Sequence, residues 1–212
     1  MRSAKSQRTS RGKRRTRSER RGSRTSGLRP RRLFQEPLEA RTLLSVTPQL
    51  IDLNAYGSSS PSDFVEVGDA SYFVAEHVSY GRELWKTDGT PGGTSLVADI
   101  RSGSGSSDPQ GLVEVNGKLF FLAGDGVHGQ ELWKSDGTAG GTVLVKDILE
   151  GSADGITESD SLTNVAGTLF FAAADGTHGN ELWKSDGTPA GTSLVADIRS
   201  GSGSSDPQGL VE

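Results

Sequence analysis

Short apolar segments alternate with turn-rich stretches from residue 46 to the C-terminus. Asn116-Gly117 separates two of these segments, and this dipeptide is a strong hairpin signal because both of its positions accept positive φ. The segment that follows, 118–123, is apolar at consecutive positions, which is typical of a strand that is buried on both faces. Such a strand needs a covering layer on each side. The four predicted strands of this unit are 112–115, 118–123, 130–135 and 142–148.

The pattern recurs at a nearly constant period, which is marked by the sequence Glu-Leu-Trp-Lys-Ser/Thr-Asp-Gly-Thr. Its three copies begin at Glu83, Glu131 and Glu181, which are 48 and 50 residues apart. A period in this range indicates a repeat architecture. Four-stranded units of this length describe a β-propeller better than a β-helix, whose rungs are shorter, or a helical solenoid, whose hydrophobic period is 3.6. The sequence predicts an all-β, β-propeller-like array of four-stranded antiparallel blades.

The predicted array is short. Three complete blades are fewer than the four or more that close a ring, so we expect an open arc. Residues 93–114 and 191–212 are identical in sequence, and identity on solvent-facing loops indicates a recent duplication. These features predict a fragment of a longer array, with exposed blade faces and poor solubility. The predicted organisation is a disordered basic arm over 1–45 with an export-type segment at 33–45, the last strand of a preceding blade plus a loop over 46–63, blades over 64–111, 112–161 and 162–209, and the start of a further blade over 210–212.

Composition supports short strands and excludes several kinds of chemistry. The 212 residues include 29 glycines and only 6% aromatic residues, which favours strands joined by many turns. The absence of cysteine excludes disulfides, thiol catalysis and cysteine–zinc sites. No apolar run approaches the roughly 20 residues that a membrane helix requires, so the sequence predicts no membrane span.

The net charge of −4 conceals two regions of opposite sign. Residues 1–32 hold 14 of the 23 lysines and arginines and one acid, Glu19, so this arm is predicted to be disordered. A basic arm could bind nucleic acid. However, no aromatic residue is interleaved to stack on bases, and the acidic body would repel a polyanion. These features disfavour nucleic acid as a partner and favour a targeting role.

The stretch 33–45 at the end of the arm contains Phe34, Leu38, Glu39, Arg41, Leu43, Leu44 and Ser45. With these residues it resembles the short N-terminal "LEPR-XLL" segment of large extracytoplasmic bacterial repeat proteins. Two departures are present: Ala40 replaces the usual proline, and an extra residue precedes Leu38. The resemblance implies export or surface display by a dedicated route.

The recurrent motif resembles the "ELWxxDGT" repeat family of bacterial surface and secreted proteins, and the resemblance covers nearly all of residues 64–209. It implies propeller-like blades and an extracellular or cell-surface setting, and it implies no established chemistry. An unknown extracellular protein or a glycan is the partner that this setting suggests.

Tryptophan recurs once in each blade and has two interpretations. Trp85, Trp133 and Trp183 could stack on sugars, as in propeller lectins. We favour a structural role, because a strand covered on both faces places its indole between blades. The neighbouring Leu84, Leu132 and Leu182 are predicted to pack towards the opposite blade, which makes these six residues the structural core of the repeat.

Aspartate in the Asp-Gly-Thr turns is a weak calcium candidate. Asp88, Asp136 and Asp186 offer carboxylate oxygens, but neither the EF-hand spacing nor the calcium-binding nonapeptide is present. A structural turn accounts for the pattern, with Asp bonded to the backbone two residues on, Gly in the left-handed region and Thr capping the turn. We therefore predict no cofactor, with calcium as the alternative.

No catalytic group stands out among the repeated residues. His128 and His178 align with Tyr80, and a position that accepts tyrosine is a poor candidate for a metal ligand or a general base. Asp125 and Asp175 align with His77, which weakens a metal site in these loops too. The glutamates of the motif recur once in each blade, whereas catalytic carboxylates work as asymmetric pairs.

The sequence favours a non-enzymatic, exported or surface repeat protein that acts as an interaction or structural module. Two alternatives remain open. One is a carbohydrate- or calcium-binding, lectin-like propeller, and the other is a nucleic-acid-associated protein that uses its basic arm.

Overall fold

A computed structural model describes residues 50–158 and 162–209. The basic arm and the export-type segment, which are predicted within 1–45, lie outside the described residues. The same is true of the further blade predicted to start at 210. The segment 46–63, where the sequence predicts the last strand of a preceding blade plus a loop, forms no strand over its described residues 50–61.

The described chain folds into three four-stranded antiparallel sheets, and it contains no helix. Within each sheet the strands are hydrogen-bonded in chain order, so each sheet is a meander. This confirms the predicted all-β class and the four-stranded antiparallel units. The strands are β1 (Ser62–Val67), β2 (Ala70–His77), β3 (Gly81–Thr87) and β4 (Ser95–Ala98) in the first sheet, β5 (Gln110–Val115), β6 (Lys118–Ala123), β7 (Glu131–Ser135) and β8 (Val143–Lys146) in the second, and β9 (Thr163–Val165), β10 (Thr168–Ala173), β11 (Glu181–Ser185) and β12 (Ser193–Ala196) in the third.

The hairpin between β5 and β6 has the backbone that its sequence predicts. Asn116 and Gly117 adopt φ angles of 52° and 78°, which are the two positive values of a type I′ turn. The turn pairs Val115 with Lys118 and so fixes the register of both strands. At the aligned turn of the third sheet, Ala166 takes a φ of 49°.

Strand β6 is buried on both faces, as its continuous apolar run predicts. Every side chain from Leu119 to Ala123 is buried. Successive side chains of a strand point to opposite faces, so Phe121 packs with the first sheet and Leu122 packs with the third. The second sheet is therefore a middle layer.

Two hydrophobic clusters join the three sheets. The first combines Leu84 of the first sheet with Trp133 of the second, and the other combines Leu132 of the second sheet with Trp183 of the third. The leucine of each motif thus packs towards the following sheet and the tryptophan towards the preceding one. Trp85 has no preceding sheet among the described residues, and it lies in a smaller cluster with Phe73 and Leu53.

A bulge recurs between the third and fourth strands of every sheet. Leu84 pairs with Ala98 and Trp85 pairs with Leu96, so one extra residue, Val97, lies between the two pairs. The same register shift occurs between Leu132 and Trp133 and between Leu182 and Trp183. The extra valine turns towards the following sheet, where Val97 joins the cluster that contains Trp133.

Contacts between successive sheets also form along the first strands, where β5 lies against both β1 and β9. Two side-chain amides reinforce this edge. Asn116 Nδ2 donates to the Gly167 carbonyl at 2.9 Å, and Asn164 Nδ2 donates to the Glu114 carbonyl at 3.0 Å. The first hairpins of the second and third sheets are therefore hydrogen-bonded to each other.

Candidate functional site

The recurrent motif places its tryptophans inside the protein. The exposed fractions of Trp85, Trp133 and Trp183 are 6%, 9% and 4%. Each indole lies in a hydrophobic cluster, and its Nε1 atom is buried without a hydrogen-bond partner in the described chain. No indole face is presented to solvent as a sugar-stacking platform would be.

The leucines of the motif differ according to the layer that covers them. Leu84 and Leu132 are fully buried, because a following sheet packs on each of them. Leu182 is half-buried. The outer face of the third sheet, on which Leu182 lies, has no further sheet against it in the described chain.

The glutamates of the motif have a role that the sequence does not reveal. Glu83, Glu131 and Glu181 have no exposed surface, and their carboxylates accept hydrogen bonds from the loop that follows the fourth strand of the same sheet. For Glu83 the donors are the backbone N–H groups of Ile100, Arg101 and Ser107 at 3.0–3.3 Å and the Ser107 hydroxyl at 2.5 Å. Each carboxylate therefore fixes the connection between one sheet and the next.

The other two glutamates repeat this arrangement with one difference. Glu131 accepts from the backbone of Ile148, Leu149 and Gly155, and Glu181 accepts from Ile198 and from both the backbone and the hydroxyl of Ser205. Gly155 has no hydroxyl to donate. The offsets between each glutamate and its donors are 17 and 24 residues in all three sheets, a regularity that becomes visible only once the donors are known.

Burial separates the acidities of these carboxyl groups. Desolvation raises the pKa of Glu83 and Glu131 to about 7, although hydrogen bonds to the carboxylates oppose the shift. The pKa of Glu181 is lowered, and the hydrogen bond from the Ser205 hydroxyl is the main cause. No following sheet adds to the desolvation of Glu181.

The lysine of the motif links each sheet to the next one. Lys86 Nζ donates to the Gly137 carbonyl at 2.8 Å, and Lys134 Nζ donates to the Gly187 carbonyl at 2.7 Å. Each acceptor glycine belongs to the Asp-Gly-Thr turn of the following sheet. Lys184 is exposed and has no such acceptor in the described chain.

The Asp-Gly-Thr turns are closed by their own side chains. Asp136 Oδ1 accepts from the backbone N–H of Thr138 at 2.9 Å and from its hydroxyl at 2.7 Å. Gly137 has a φ of 87°, and the Thr138 hydroxyl accepts from the Gly141 N–H at 3.0 Å. The same bonds form around Asp88 and Asp186. These bonds also lower the pKa of each aspartate, the threonine hydroxyl being the main cause.

The calcium candidates are therefore already engaged within their turns, because one carboxylate oxygen of each aspartate is bonded to threonine. Within residues 50–158 and 162–209, no group of three or more His, Cys, Asp or Glu side chains is placed to hold a metal ion. Asp88, Asp136 and Asp186 lie in the turns of three different sheets.

Histidine and aspartate form a pair in two of the loops that precede the third strand. His128 Nδ1 lies 2.8 Å from Asp125 Oδ2, and His178 Nδ1 lies 2.9 Å from Asp175 Oδ2. The aspartate hydrogen bond raises the pKa of each histidine. In the first sheet, His77 stands at the position of these aspartates, and its ring nitrogen accepts from the Ser79 N–H. A hydrogen-bond acceptor at this position therefore closes a turn in all three loops.

A polar cleft of 350 Å³ lies between the loops of the first and second sheets. Arg101 crosses it and donates to the Ser106 carbonyl, while Asp154 accepts from the backbone of Gln130. His128 and Gln130 also line the cleft. Residues that carry a guanidinium, an imidazole, a carboxamide and a carboxylate therefore border one cavity.

Comparison with known proteins gives one structural likeness. No family model matches the chain, and no curated protein matches it. A solved α-L-arabinofuranosidase from Clostridium thermocellum aligns with 67% of this chain at 15% identity and a TM-score of 0.32. The alignment spans about half of that protein, or 52% of its length. In the described parts of the chain, no helix has the length and apolar character needed to cross a membrane.

Proposed function

We propose that this protein is a non-enzymatic repeat module whose stacked sheets serve a structural or interaction role. The use of the motif's polar groups carries this proposal. Glutamate binds the connecting loop, lysine binds the next turn, and aspartate and threonine close the turn that they belong to. Groups used in this way in successive repeats build the array and leave no reactive set within the motif.

A β-propeller-like arrangement is the architecture that fits this stack best. The sheets are four-stranded meanders that pack face to face, and successive sheets also meet along their first strands. Blades that meet at one edge and pack through their faces radiate from an axis, as in a propeller. Three such sheets form an arc. Small-angle X-ray scattering of the purified protein would test this arrangement against a straight stack.

An exported or cell-surface setting is the second part of the proposal. It rests on the resemblance of residues 33–45 to a bacterial export segment and on the ELWxxDGT-like repeat. Expression with and without residues 1–45 in a bacterium, followed by protease treatment of intact cells, tests it. Accessible repeats in the full chain and protected repeats after deletion are the expected results.

Glycan binding is a second candidate function, and the polar cleft between the first two sheets favours it. Carbohydrate recognition uses hydrogen-bonding groups that converge on one cavity, and Arg101, His128 and Gln130 border the same cleft. The buried tryptophans would take no part in it. A glycan array with and without EDTA separates the two functions, and the variant Gln130→Ala locates any binding. If the protein has only the structural role, the array should show no glycan binding that is lost on addition of EDTA or in the Gln130→Ala variant.

A further inference from the structure

The third sheet presents a bare copy of a surface that is covered elsewhere in the same molecule. Residues 191–209 have the same sequence as residues 93–111, and in the first sheet this stretch lies under the second sheet. The same sequence therefore occurs twice in the molecule, once covered by a following sheet and once uncovered. Any difference in exposure between them measures what the covering sheet does.

The exposed fractions show how much surface is left open. Val97 is 4% exposed, whereas Val195, its counterpart, is 44% exposed. Ile198 is 61% exposed, while its counterpart Ile100 is packed against the cluster that contains Trp133. Ser107 is buried, and its counterpart Ser205 is only half-buried. The difference falls on the side chains that face a following sheet.

The lysine of the same surface also lacks the hydrogen bond that its counterparts form. Lys86 and Lys134 each donate to the glycine carbonyl of the next Asp-Gly-Thr turn, whereas Lys184 has no acceptor in the described chain. A partner that fits must therefore bring a backbone carbonyl for Lys184 together with an apolar face for Leu182, Val195 and Ile198. The second sheet satisfies both requirements of the first sheet through Trp133, Phe121 and Gly137.

We propose that the outer face of the third sheet, formed by Leu182, Lys184, Val195 and Ile198, is a docking surface for a further four-stranded repeat sheet. The incoming sheet carries tryptophan and phenylalanine on its contacting face and an Asp-Gly-Thr turn at its edge. Its tryptophan packs on Leu182 and Val195, and its turn glycine accepts from Lys184. This assignment rests on the identical surface of the first sheet, and it does not depend on the function proposed above.

Cysteine labelling tests the assignment directly, because the chain contains no cysteine of its own. The variants V195C and V97C place one thiol at the same position of the two identical surfaces. In the full chain we expect V195C to react with a maleimide at least about tenfold faster than V97C, since buried groups react only after local opening. A copy of residues 115–209 is then fused after Glu212, which continues the repeat in register.

In the fused protein, the V195C labelling rate should fall to the rate of V97C. Adding Leu182→Asp, which alters only the acceptor surface, should restore fast labelling. Continued fast labelling of V195C in the fused protein would overturn the proposal, as would slow labelling that Leu182→Asp leaves unchanged. Failure of the appended repeats to fold would also overturn it, because a repeat sheet folds only on a surface that accepts it.

Two other occupants give distinct results. If labelling of V195C in the unfused chain slows as the protein concentration rises, the surface binds a second copy of this chain. If deletion of residues 1–45 speeds up labelling of V195C in the unfused chain, the arm covers the surface. Either result would replace the proposed partner.

Discussion

Each glutamate of the motif lies on the third strand of a sheet but binds the loop that begins after the fourth strand. The side chain closes this loop with three or four hydrogen bonds, and it does so in a fully buried position. A buried carboxylate is stable only when such donors surround it. The glutamate therefore connects one sheet to the next. Its burial raises the pKa of Glu83 and Glu131 to about 7.

The stability of the protein should fall as the pH rises from about 4.5 to about 7. The folded pKa values of Glu83 and Glu131 are raised from 4.5 to about 7, so the folded state binds more protons than the unfolded state in this window. Their contribution is fully present below 4.5 and is lost as the pH passes 7. The raised pKa values of His128 and His178 act in the same direction above 6.5. Urea unfolding at a series of pH values measures the slope.

Glu131→Gln isolates the part of this slope that belongs to one carboxyl group. Glutamine has no ionisable proton, so the free energy of unfolding of the variant should depend less steeply on pH between about 4.5 and 7. Glu181→Gln is the matched control, because the pKa of Glu181 is lowered and its stabilising effect is lost only as the pH falls through the acidic range. Equal slopes in wild type and Glu131→Gln would contradict the assignment.

Trp133→Ala should lower the free energy of unfolding by about 3–5 kcal/mol, the range for large-to-small changes in a packed core. Trp133 is 9% exposed and packs between the first and second sheets. Val127→Ala is the control, because Val127 is 66% exposed and the change should have almost no effect. Chemical denaturation followed by circular dichroism measures both variants. A Trp133→Ala variant of unchanged stability would contradict the packing role.

At the scale of the single element, the Asp-Gly-Thr turn is constrained by steric overlap as much as by its hydrogen bonds. A Cβ atom at Gly141 would overlap the Asp136 carboxylate, and the same holds for Gly93 with Asp88 and Gly191 with Asp186. By contrast, a Cβ at Gly140 would meet no atom within 4 Å, and the third repeat has Ala190 at this position. Two adjacent glycines therefore carry very different constraints.

Gly141→Ala should destabilise the protein by about 1–3 kcal/mol, because the added methyl group displaces Asp136 from Thr138 and leaves hydrogen bonds unmade. Gly140→Ala, one residue earlier, should be neutral or slightly stabilising, since it only restricts the unfolded chain. The melting temperatures of the two variants provide the comparison. Equal effects would show that the carboxylate does not control the turn.

Lys134→Met should reduce stability by about 1 kcal/mol, because it removes the donor to the Gly187 carbonyl while keeping most of the side-chain volume. Lys184→Met is the matched control, and we expect almost no loss, since Lys184 has no acceptor among the residues that the structure describes. A similar loss of stability in both variants would mean that the lysine stabilises its own strand and that its hydrogen bond to the next sheet adds nothing.

Many of the strands and turns could be predicted from the sequence, because particular residues allow few other conformations. Asn116-Gly117 requires positive φ, and the apolar run of β6 requires two covering layers, so the hairpin and the middle layer followed directly. The bulge at Val97 did not follow, because Leu96-Val97-Ala98 is apolar throughout and its register is invisible in the pattern. The glutamate contacts were missed because their donors lie 17 to 24 residues away in loops of low complexity.

At the scale of the whole molecule, stability is shared between the sheets because each hydrophobic cluster is built from two of them. Leu132, Ile148 and Ile156 are buried in the cluster that includes Leu169 and Trp183 of the third sheet. In such arrays each repeat depends on its neighbours, and stability is approximately a sum of repeat and interface contributions. Removal of an end repeat therefore weakens the one that remains next to it.

A chain that ends at Glu158 should keep the interface between the first and second sheets but lose the cluster around Leu132. We expect a lower melting temperature than that of the full chain and increased binding of a hydrophobic dye, because Phe120 and Leu122 lose their cover. Calorimetry and dye fluorescence provide the measurements. Retention of the full melting temperature would show that the sheets are energetically independent.

The buried, unpaired indole nitrogens have an optical consequence. Trp133 and Trp183 each report on the boundary between two sheets, and Trp85 reports on the smaller cluster with Phe73 and Leu53. An indole that is shielded from water and has no hydrogen-bond acceptor emits at shorter wavelength than a solvated one. Variants that retain a single tryptophan, with phenylalanine at the other two positions, would have three separate internal fluorophores. Their emission during heating would show whether the three clusters open together or one after another.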